Sequence, residues 1–531
     1  ADQKILGAIE KHSLDENVLD RSTQYLKKLM QRCSNYSKKK YDKKIHLDFA
    51  KKMAEESIVL AKNENKILPL NTEEEILLVG PFAKFPRITG AGSSGVMSNF
   101  QDNLYSAMKH ESSCIHYVEG YSLYVDTVDK KKSDEAVHLA KRVDKVVMVL
   151  ALPEGKETEG SDKKNLSLPD NEIQLVNAIQ KVNSHIILVL QTGSPVMLPF
   201  ISKIPGILIT YLAGARSGAA VTSILYGKVA PQGKLAETWP LLEESVPCQK
   251  YFAENCYETQ YRETIFSGYR YYDTFHIPTQ FSFGFGLSYT NFAYKEVHVE
   301  VRNHVLITEV TIRNTGTVSG KEIIEIYMSM PKSKIVRCAH ELIDFAKIEL
   351  AAGEEKTVSI ETDLEVVAYY DVKKKDWLIE DGEYVIGVGN SLENLQYRSV
   401  VLSGEINAFS TLKKEMFHIE NEHLCISDAD YETILGHSLP LARKAYPFTP
   451  DTTIGELQQK KLGKILYSVT SKIANSDFIH GVDASVLDET CLRQMLWLKG
   501  VSWKTVEIAV SYMNKHKFSA LKELYKSFYD K

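Results

Sequence analysis

Lys145-Val-Val-Met-Val-Leu-Ala-Leu152, running straight into Pro153-Glu-Gly-Lys-Glu-Thr-Glu-Gly-Ser-Asp-Lys-Lys164, decides the architecture of this chain. Residues 146–150 are apolar on both faces of any strand they form, the pattern of a strand buried between two helical layers in a parallel sheet. Open α/β sheets bind ligands beyond the carboxyl ends of such strands. There the sequence places four carboxylates, Glu154, Glu157, Glu159 and Asp162. Proton transfer to an oxygen leaving group needs a carboxyl of this kind. From spacing alone, a solvated acidic surface loop is the other reading. Leu166-Ser-Leu-Pro-Asp170 then leads into a helical repeat at Ile173, Val176, Ala178, Ile179 and Val182.

Outward from this stretch, apolar runs at 76–79, 115–118, 186–190 and 207–212 alternate with helical patterns such as 217–226, which predicts a mainly parallel α/β domain. Upstream, Ser13-Leu-Asp-Glu16 has the capping-box form, and a helix is expected over about 14–33. A polar linker follows, then a second helix with Leu47, Ala50, Ala54 and Ile58 on one face, ended by Pro69. Downstream of Tyr294 the period changes to two, and strands at 298–301, 306–312, 322–328, 357–361 and 384–388 predict an antiparallel β-sandwich. Trp377 and Tyr384 are expected in its core. After Ala408 the chain reads as helical again, at 454–457, 486–498 and 503–513. The expected domains are 1–45, 46–290, 291–408 and 409–531.

A chain of 531 residues is long enough for three or so domains at about 150 residues each. A net charge of −5 with the two signs interspersed argues against a nucleic-acid partner, and no run is long enough to span a membrane. Seven cysteines without CxxC pairs or finger spacing point to a reducing, cytoplasmic setting, with no metal and no cofactor expected. The scattered histidines are expected to be structural. Nothing resembling a signal lies near Ala1, yet no initiator methionine stands there either, so the start is read as processed or truncated. Gly90-Ala-Gly-Ser-Ser-Gly95 with Glu119 fits the dinucleotide fingerprint and makes a nucleotide-binding α/β enzyme the rival reading. That fingerprint needs its first glycine directly after the strand, whereas ten residues, with Pro81 and Pro86 among them, separate Val79 from Gly90.

Taken together, the motifs carry a family resemblance across nearly the whole chain. Ala54-Glu-Glu-Ser-Ile-Val-Leu60 with Leu68-Pro-Leu70, the Gly90–Gly95 loop, Glu157-Thr-Glu-Gly-Ser-Asp162 with Leu166-Ser-Leu-Pro169, Gly233-Lys-Leu-Ala-Glu-Thr-Trp-Pro240, and Gly268-Tyr-Arg-Tyr-Tyr272 with Phe283-Gly-Phe-Gly-Leu-Ser-Tyr289 occur in the order of one family. They resemble the C-terminal half of glycoside hydrolase family 3, the β-glucosidases, β-xylosidases and related exo-glycosidases, with its fibronectin-III-like domain. The resemblance implies a retaining exo-glycosidase acting on a terminal β-glucoside or β-xyloside, with Glu159 at the acid/base position and Glu157 in reserve.

A retaining glycosidase needs a second carboxyl about 5 Å from the first. In this family it is an aspartate in a Ser-Asp-Trp-like segment of a preceding TIM-type barrel. No such segment occurs here, and residues 5–33 resemble helices that close that barrel. The chain is therefore expected to be inactive alone, with a barrel in cis or in trans as its partner and oligomerisation left open. Two departures bear on substrate. Lys163 follows Asp162 where the family often has arginine, replacing a planar fork by a point charge, and Gly214-Ala-Arg-Ser-Gly218 replaces a Gly-Gln-acid-Gly-Gly form. A non-catalytic carbohydrate-binding or scaffolding remnant remains the alternative at this point.

Overall fold

The computed structural model describes residues 2–34, 41–123, 126–159, 162–163, 165–252, 259–440, 446–461, 463–464, 467–468, 488, 490–497 and 502–515. The chain divides into two compact units, residues 1–49 and 50–531. In the first, α1 (Asp2–Glu10) is followed by α2 (Glu16–Ser34), and neither buries a single residue. The expected capping box is not what starts α2. Ser13 Oγ instead donates to the Ala8 carbonyl at the end of α1, and Asp15 caps α2 by accepting the Asn17 N–H at 2.9 Å. An aspartate two residues nearer the helix satisfies an orphan donor just as well. The apolar stripe of α2 stands in solvent, Leu26 62% and Met30 70% exposed. A third helix, α3 (Lys43–Ser57), leads out of this unit.

The second unit opens with the α/β domain. Its strands are β1 (Val59–Asn63), β2 (Ile76–Val79), β3 (Ile115–Val118), β4 (Lys145–Ala151), β5 (Ile186–Gln191) and β6 (Gly206–Ile209), in the spatial order β1-β6-β5-β4-β2-β3. Every pair is parallel except β1 with β6. The sequence reading did not foresee β1, because Val59-Leu-Ala continues the apolar helical run of α3. Tertiary pairing overrides that local pattern at the open edge of β6. Helices α4 (Leu104–Glu111), α5 (Lys130–Ala140), α6 (Asp170–Gln180) and α7 (Ser217–Leu225) make the connections. Residues 146–151 of β4 are wholly buried, as expected of a strand covered on both faces.

Two short strands, β7 (Trp239–Pro240) and β8 (Thr279–Phe281), and α8 (Tyr269–Thr274) lead to the sandwich. Its strands β9 (Phe292–Arg302), β10 (Val305–Asn314) and β13 (Glu355–Asp363) form one sheet. The other sheet contains β11 (Gly320–Ser329), β12 (Glu341–Leu350), β16 (Gly382–Gly389) and β17 (Leu395–Leu402). Val310, Ile312, Ile324, Ile326 and Val388 share the core between them. Tyr384 is buried there, but Trp377 is not: on the hairpin of β14 (Tyr369–Asp371) and β15 (Asp376–Leu378) it is 66% exposed and stacks edge-on with Tyr370. After Ala408 the chain is not simply helical. A hairpin of β18 (His418–Glu420) and β19 (His423–Cys425) precedes α9 (Asp428–Leu435), and both pack with Phe266, Tyr271 and Phe417 in one cluster. Of the helix expected over 486–498, residues 488 and 490–497 are described, and Leu492–Trp497 forms a 3-10 helix in place of the expected α-helix.

The contrast between β4 and α2 is measurable. In urea denaturation followed globally, Leu150→Ala is expected to destabilise by about 2–5 kcal/mol, the cost of a core cavity. Leu26→Ala, in a helix without buried residues, is expected to stay within about 0.5 kcal/mol. A Leu26→Ala cost approaching that of Leu150→Ala overturns the reading of α2 as a solvated helix.

Candidate active site

The order of the sheet locates the site. From β2 the chain moves outward to β3, then returns across β2 to β4 and proceeds in the other direction through β5 and β6. The reversal lies between β2 and β4, whose carboxyl ends form the crevice where such sheets bind ligands. The Gly90–Gly95 loop follows β2 and the acidic loop follows β4, so the two motifs meet across this crevice. Ala91 and Thr158 pair as a parallel β-bridge, and the Ser93 N–H donates to Glu159 Oε2 at 2.6 Å. Gly92 sits at φ +75, and a Cβ there would lie 2.6 Å from the Glu159 Cβ, so the loop approaches Glu159 this closely only as glycine. No helix starts directly from the strand at Gly90, and Glu119 is held by Lys132 at 2.7 Å, an arrangement unlike a dinucleotide turn.

The carboxylates of the loop differ sharply in what holds them. Glu157 is anchored: its Oε2 accepts the Gly193 N–H at 2.8 Å and its Oε1 accepts the Ser194 hydroxyl at 2.7 Å. Lys163 reaches the same serine, donating to Ser194 Oγ at 2.8 Å and to the Pro195 carbonyl at 3.4 Å. These are single-point contacts of the kind a lysine makes. Burial pushes the Lys163 ammonium below its usual value, against the pull of Glu157, Glu237 and Glu243. Glu159 is exposed, and its hydrogen bonds with Ser93 hold its carboxyl below the usual range. Glu154 and Asp162 are also exposed. Gly160, Ser161 and Lys164 lie outside the described residues.

Beneath the loop lie groups that no motif announced. Arg87 is buried; its Nη1 donates to the Leu152 carbonyl, its N–H donates to Gln191 Oε1 at 2.9 Å, and its Nη2 lies 3.9 Å from Glu157. Burial lowers its pKa, countered by Glu157 and then Glu154. The guanidinium thus ties the end of β4 to the anchored glutamate, and the Arg87 backbone N–H ties in the end of β5. Glu172, in the first turn of α6, is also buried, accepts the Ala151 N–H at 3.5 Å and contacts the Tyr121 hydroxyl. That hydroxyl gives its proton to the Val149 carbonyl at 2.6 Å, and Glu172 Oε2 is buried without a hydrogen-bond partner. Desolvation accordingly raises the Glu172 pKa well above the ordinary value.

The remaining motifs are structural. Gly233 packs so close to the start of β1 that a Cβ would lie 2.5 Å from the Ser57 carbonyl. Leu235 exchanges backbone hydrogen bonds with Phe285 and Gly284, fastening this turn to the Phe283–Tyr289 segment. Lys234 continues to Glu322 of the sandwich at 3.3 Å, and nearby Glu325 is pushed up to about 7 by burial. Arg216, in the second departure from the family pattern, pairs with Asp102 at 3.1 Å, and Asp102 accepts the Gly218 and Ala219 N–H groups at the start of α7.

Residues 58–289 match the glycosyl hydrolase family 3 C-terminal domain, and residues 322–392 match the fibronectin type III-like domain. The chain carries the C-terminal domain of glycosyl hydrolase family 3. It is 37% identical over 446 residues to the thermostable beta-glucosidase B of Acetivibrio thermocellus, covering 82% of this chain and 58% of that protein. To an exo-alpha-(1->6)-L-arabinopyranosidase of Bifidobacterium longum it is 33% identical over 411 residues, 74% of this chain and 54% of that protein. The crystal structure of a family 3 beta-glucosidase from Bifidobacterium adolescentis superposes with a TM-score of 0.74 at 30% identity, over 88% of this chain and 64% of that one. The chain thus spans between half and two thirds of each of these relatives.

The raised pKa of Glu172 gives a pH signature. Its folded pKa lies above the ~4.3 of an unfolded glutamate. Folding then takes up a proton, and stability falls as pH rises from ~4.3 toward the folded value. Glu172→Gln keeps the neutral shape and removes this penalty. It is expected to raise the Tm at pH 7.5, with the gain shrinking as pH approaches ~4.3. A difference that does not vary with pH means Glu172 is already ionised in the folded protein.

Proposed function

We propose that this chain supplies the general acid/base of a retaining exo-glycosidase acting on terminal β-linked sugars, and that the group is Glu159. The observation that carries the proposal is the division of labour in the loop: Glu157 is committed to Gly193 and Ser194, whereas Glu159, two residues on, presents an exposed carboxyl at the switch point with Ser93 as its hold. A hydrolase role fits the family; the sugar is proposed to be a β-glucoside or β-xyloside. The partner carboxyl, the nucleophile of a retaining pair about 5 Å away, is proposed to come from the barrel domain of the family. No residue of the loop is assigned that role, because Glu157 is already held by Gly193 and Ser194.

Proton donation to the departing oxygen requires a carboxyl that is protonated near working pH. The Ser93 hydrogen bonds oppose this by favouring the carboxylate. In the proposed cycle Glu159 leaves Ser93 for a drier setting against sugar and barrel, where desolvation raises its pKa. It then protonates the leaving oxygen, and as carboxylate it takes the proton from the water that hydrolyses the glycosyl-enzyme. Ser93→Ala is expected to move the Glu159 pKa of this chain up toward ~4.3, read by NMR titration of the side-chain carboxyl. An unchanged value means the hydroxyl contributes nothing to its hold.

Acid catalysis is worth about 10² to 10⁴-fold, a small part of a glycosidase's enhancement. The 531-residue chain assayed alone is therefore expected to turn over aryl β-glucosides and β-xylosides no faster than its Glu159→Gln variant. In an enzyme that joins this chain to a barrel, Glu159→Gln is expected to slow substrates with poor leaving groups by about 10² to 10⁴-fold and those with good ones far less. Equal losses for both classes move the acid/base assignment elsewhere. Saturable sugar binding without turnover in the joined protein overturns the catalytic proposal altogether.

A further inference from the structure

Far from the acidic loop along the sequence, the β18–β19 hairpin carries a second constellation. Asn421 and Glu422 both adopt positive φ, 50 and 65, which makes the connection a tight two-residue turn of the hairpin type. The turn fixes the register: His418 faces Cys425, Ile419 faces Leu424, and Glu420 faces His423. Because side chains alternate along a strand, Ile419 and Leu424 share one face and enter the cluster with Phe266, Tyr271 and Phe417. The opposite face then carries His418, Glu420, His423 and Cys425, four side chains that all ligate metals.

Three of them converge. A ring nitrogen of His418, a carboxylate oxygen of Glu420 and the Cys425 sulfur all lie within 4.8 Å of one another. His423 adds an independent sign, since its Nδ1 is buried and has no hydrogen-bond partner. Buried polar atoms are seldom left so. Lys250 also reaches the cluster, donating from Nζ to Cys425 Sγ at 3.5 Å, and Cys425 Sγ lies 4.0 Å from Glu420 Oε2.

We propose that the face of this hairpin binds a divalent transition-metal ion of the zinc class through His418, Glu420 and Cys425, with His423 beside them as the candidate fourth ligand. Nitrogen, oxygen and sulfur donors together suit a borderline ion, and thiolate disfavours calcium or magnesium. Bonds of about 2.0–2.3 Å place the ligand atoms of a tetrahedral site roughly 3.3–3.8 Å apart, so the cluster has to contract by about an ångström. His418 and Glu420 are exposed and free to rotate by that much; Cys425 is buried and sets the position. Binding expels the thiol proton to solvent, and the thiolate and carboxylate then balance the two charges of the ion. Lys250 remains exposed and either keeps its bond to the bound sulfur or swings into water. The ion would clamp the hairpin that fastens the residues after the sandwich to α8.

The test is a cobalt(II) titration of the full chain, because a thiolate bound to cobalt gives a charge-transfer band that carboxylates and imidazoles do not. The wild type is expected to show a saturable band that zinc bleaches, and Cys425→Ser is expected to lose it. His418→Ala and Glu420→Gln, both at exposed positions, are expected to weaken cobalt binding by about 10-fold or more while leaving the circular dichroism unchanged; even outer-shell losses reach that scale. Affinity should also fall as the pH is lowered, since the thiol and imidazoles must be deprotonated. Absence of a saturable band in the wild type, or a band of the same strength and affinity in Cys425→Ser, overturns the proposal.

Discussion

The hold of Glu157 on the Gly193 N–H and the Ser194 hydroxyl is the constraint on which the site depends. Two charge-assisted hydrogen bonds on one carboxylate are strong and directional. They splice the loop after β4 to the loop after β5, and Lys163 and Arg87 close on the same junction from either side. Without that splice a polar loop carrying this much negative charge would spread into solvent. With it, the backbone at Thr158 is placed to pair with Ala91, and Glu159 arrives at the crevice between β2 and β4. The residue nearest the proposed chemistry is therefore positioned by one that takes no part in it.

The junction also shows how the domain handles buried polarity. Arg87 is held inside by Nη1 on the Leu152 carbonyl and by Glu157 at ion-pair distance from Nη2, while Nε and Nη2 have no hydrogen-bond partner and desolvation lowers its pKa. Glu172 follows the other route: it makes no ion pair among the described residues, and desolvation, which raises its pKa, favours the neutral acid beside Tyr121 and the Ala151 N–H. One solution keeps a charge by surrounding it, and the other removes the charge. Both lie under the C-terminal end of β4, where the loop begins, so they stiffen the base from which Glu159 projects.

How much of this could be read from the residues varies with the physical signal. The buried parallel strands were legible because β2, β4, β5 and β6 are apolar runs, to which β3 adds the weaker Ile115-His-Tyr-Val118, and the sandwich was legible from alternation in β9 to β11. β1 was not, since Val59-Leu-Ala carries no mark separating a strand from the end of a helix. Trp377 misled because aromatic burial is a tendency of residue types, whereas its position on a two-stranded ribbon leaves it largely exposed, with its ring edge-on to Tyr370. At the site, Glu157 and Glu159 were visible as a pair, but only the fold shows that one is tied down and the other presented. Arg87, Gly193 and Ser194 come from neighbouring strands and carry no local motif. The ligand face of β18–β19 was hidden for a related reason: spacing rules are written for thiol pairs in fingers, whereas His-x-Glu and His-x-Cys become one surface only after a turn folds them together.

The low pKa of Glu159 is at first sight the wrong property for an acid. A carboxyl exposed to water and bonded to Ser93 is ionised at neutral pH, and an ionised group cannot protonate a leaving oxygen. The contradiction dissolves if the proton is loaded only where water is excluded. Desolvation and the nearby negative charge of a nucleophile both raise a carboxylate's pKa, and while Glu159 rests on Ser93 the hydrogen bonds outweigh the desolvation. The hydrogen bond that suppresses acidity here also keeps the side chain ordered, at a position reached by two loops whose geometry is fixed by the sheet. In the proposed function, what a barrel domain has to contribute is then limited to a nucleophile and a dry surface; the placing of the proposed acid is built into the switch point.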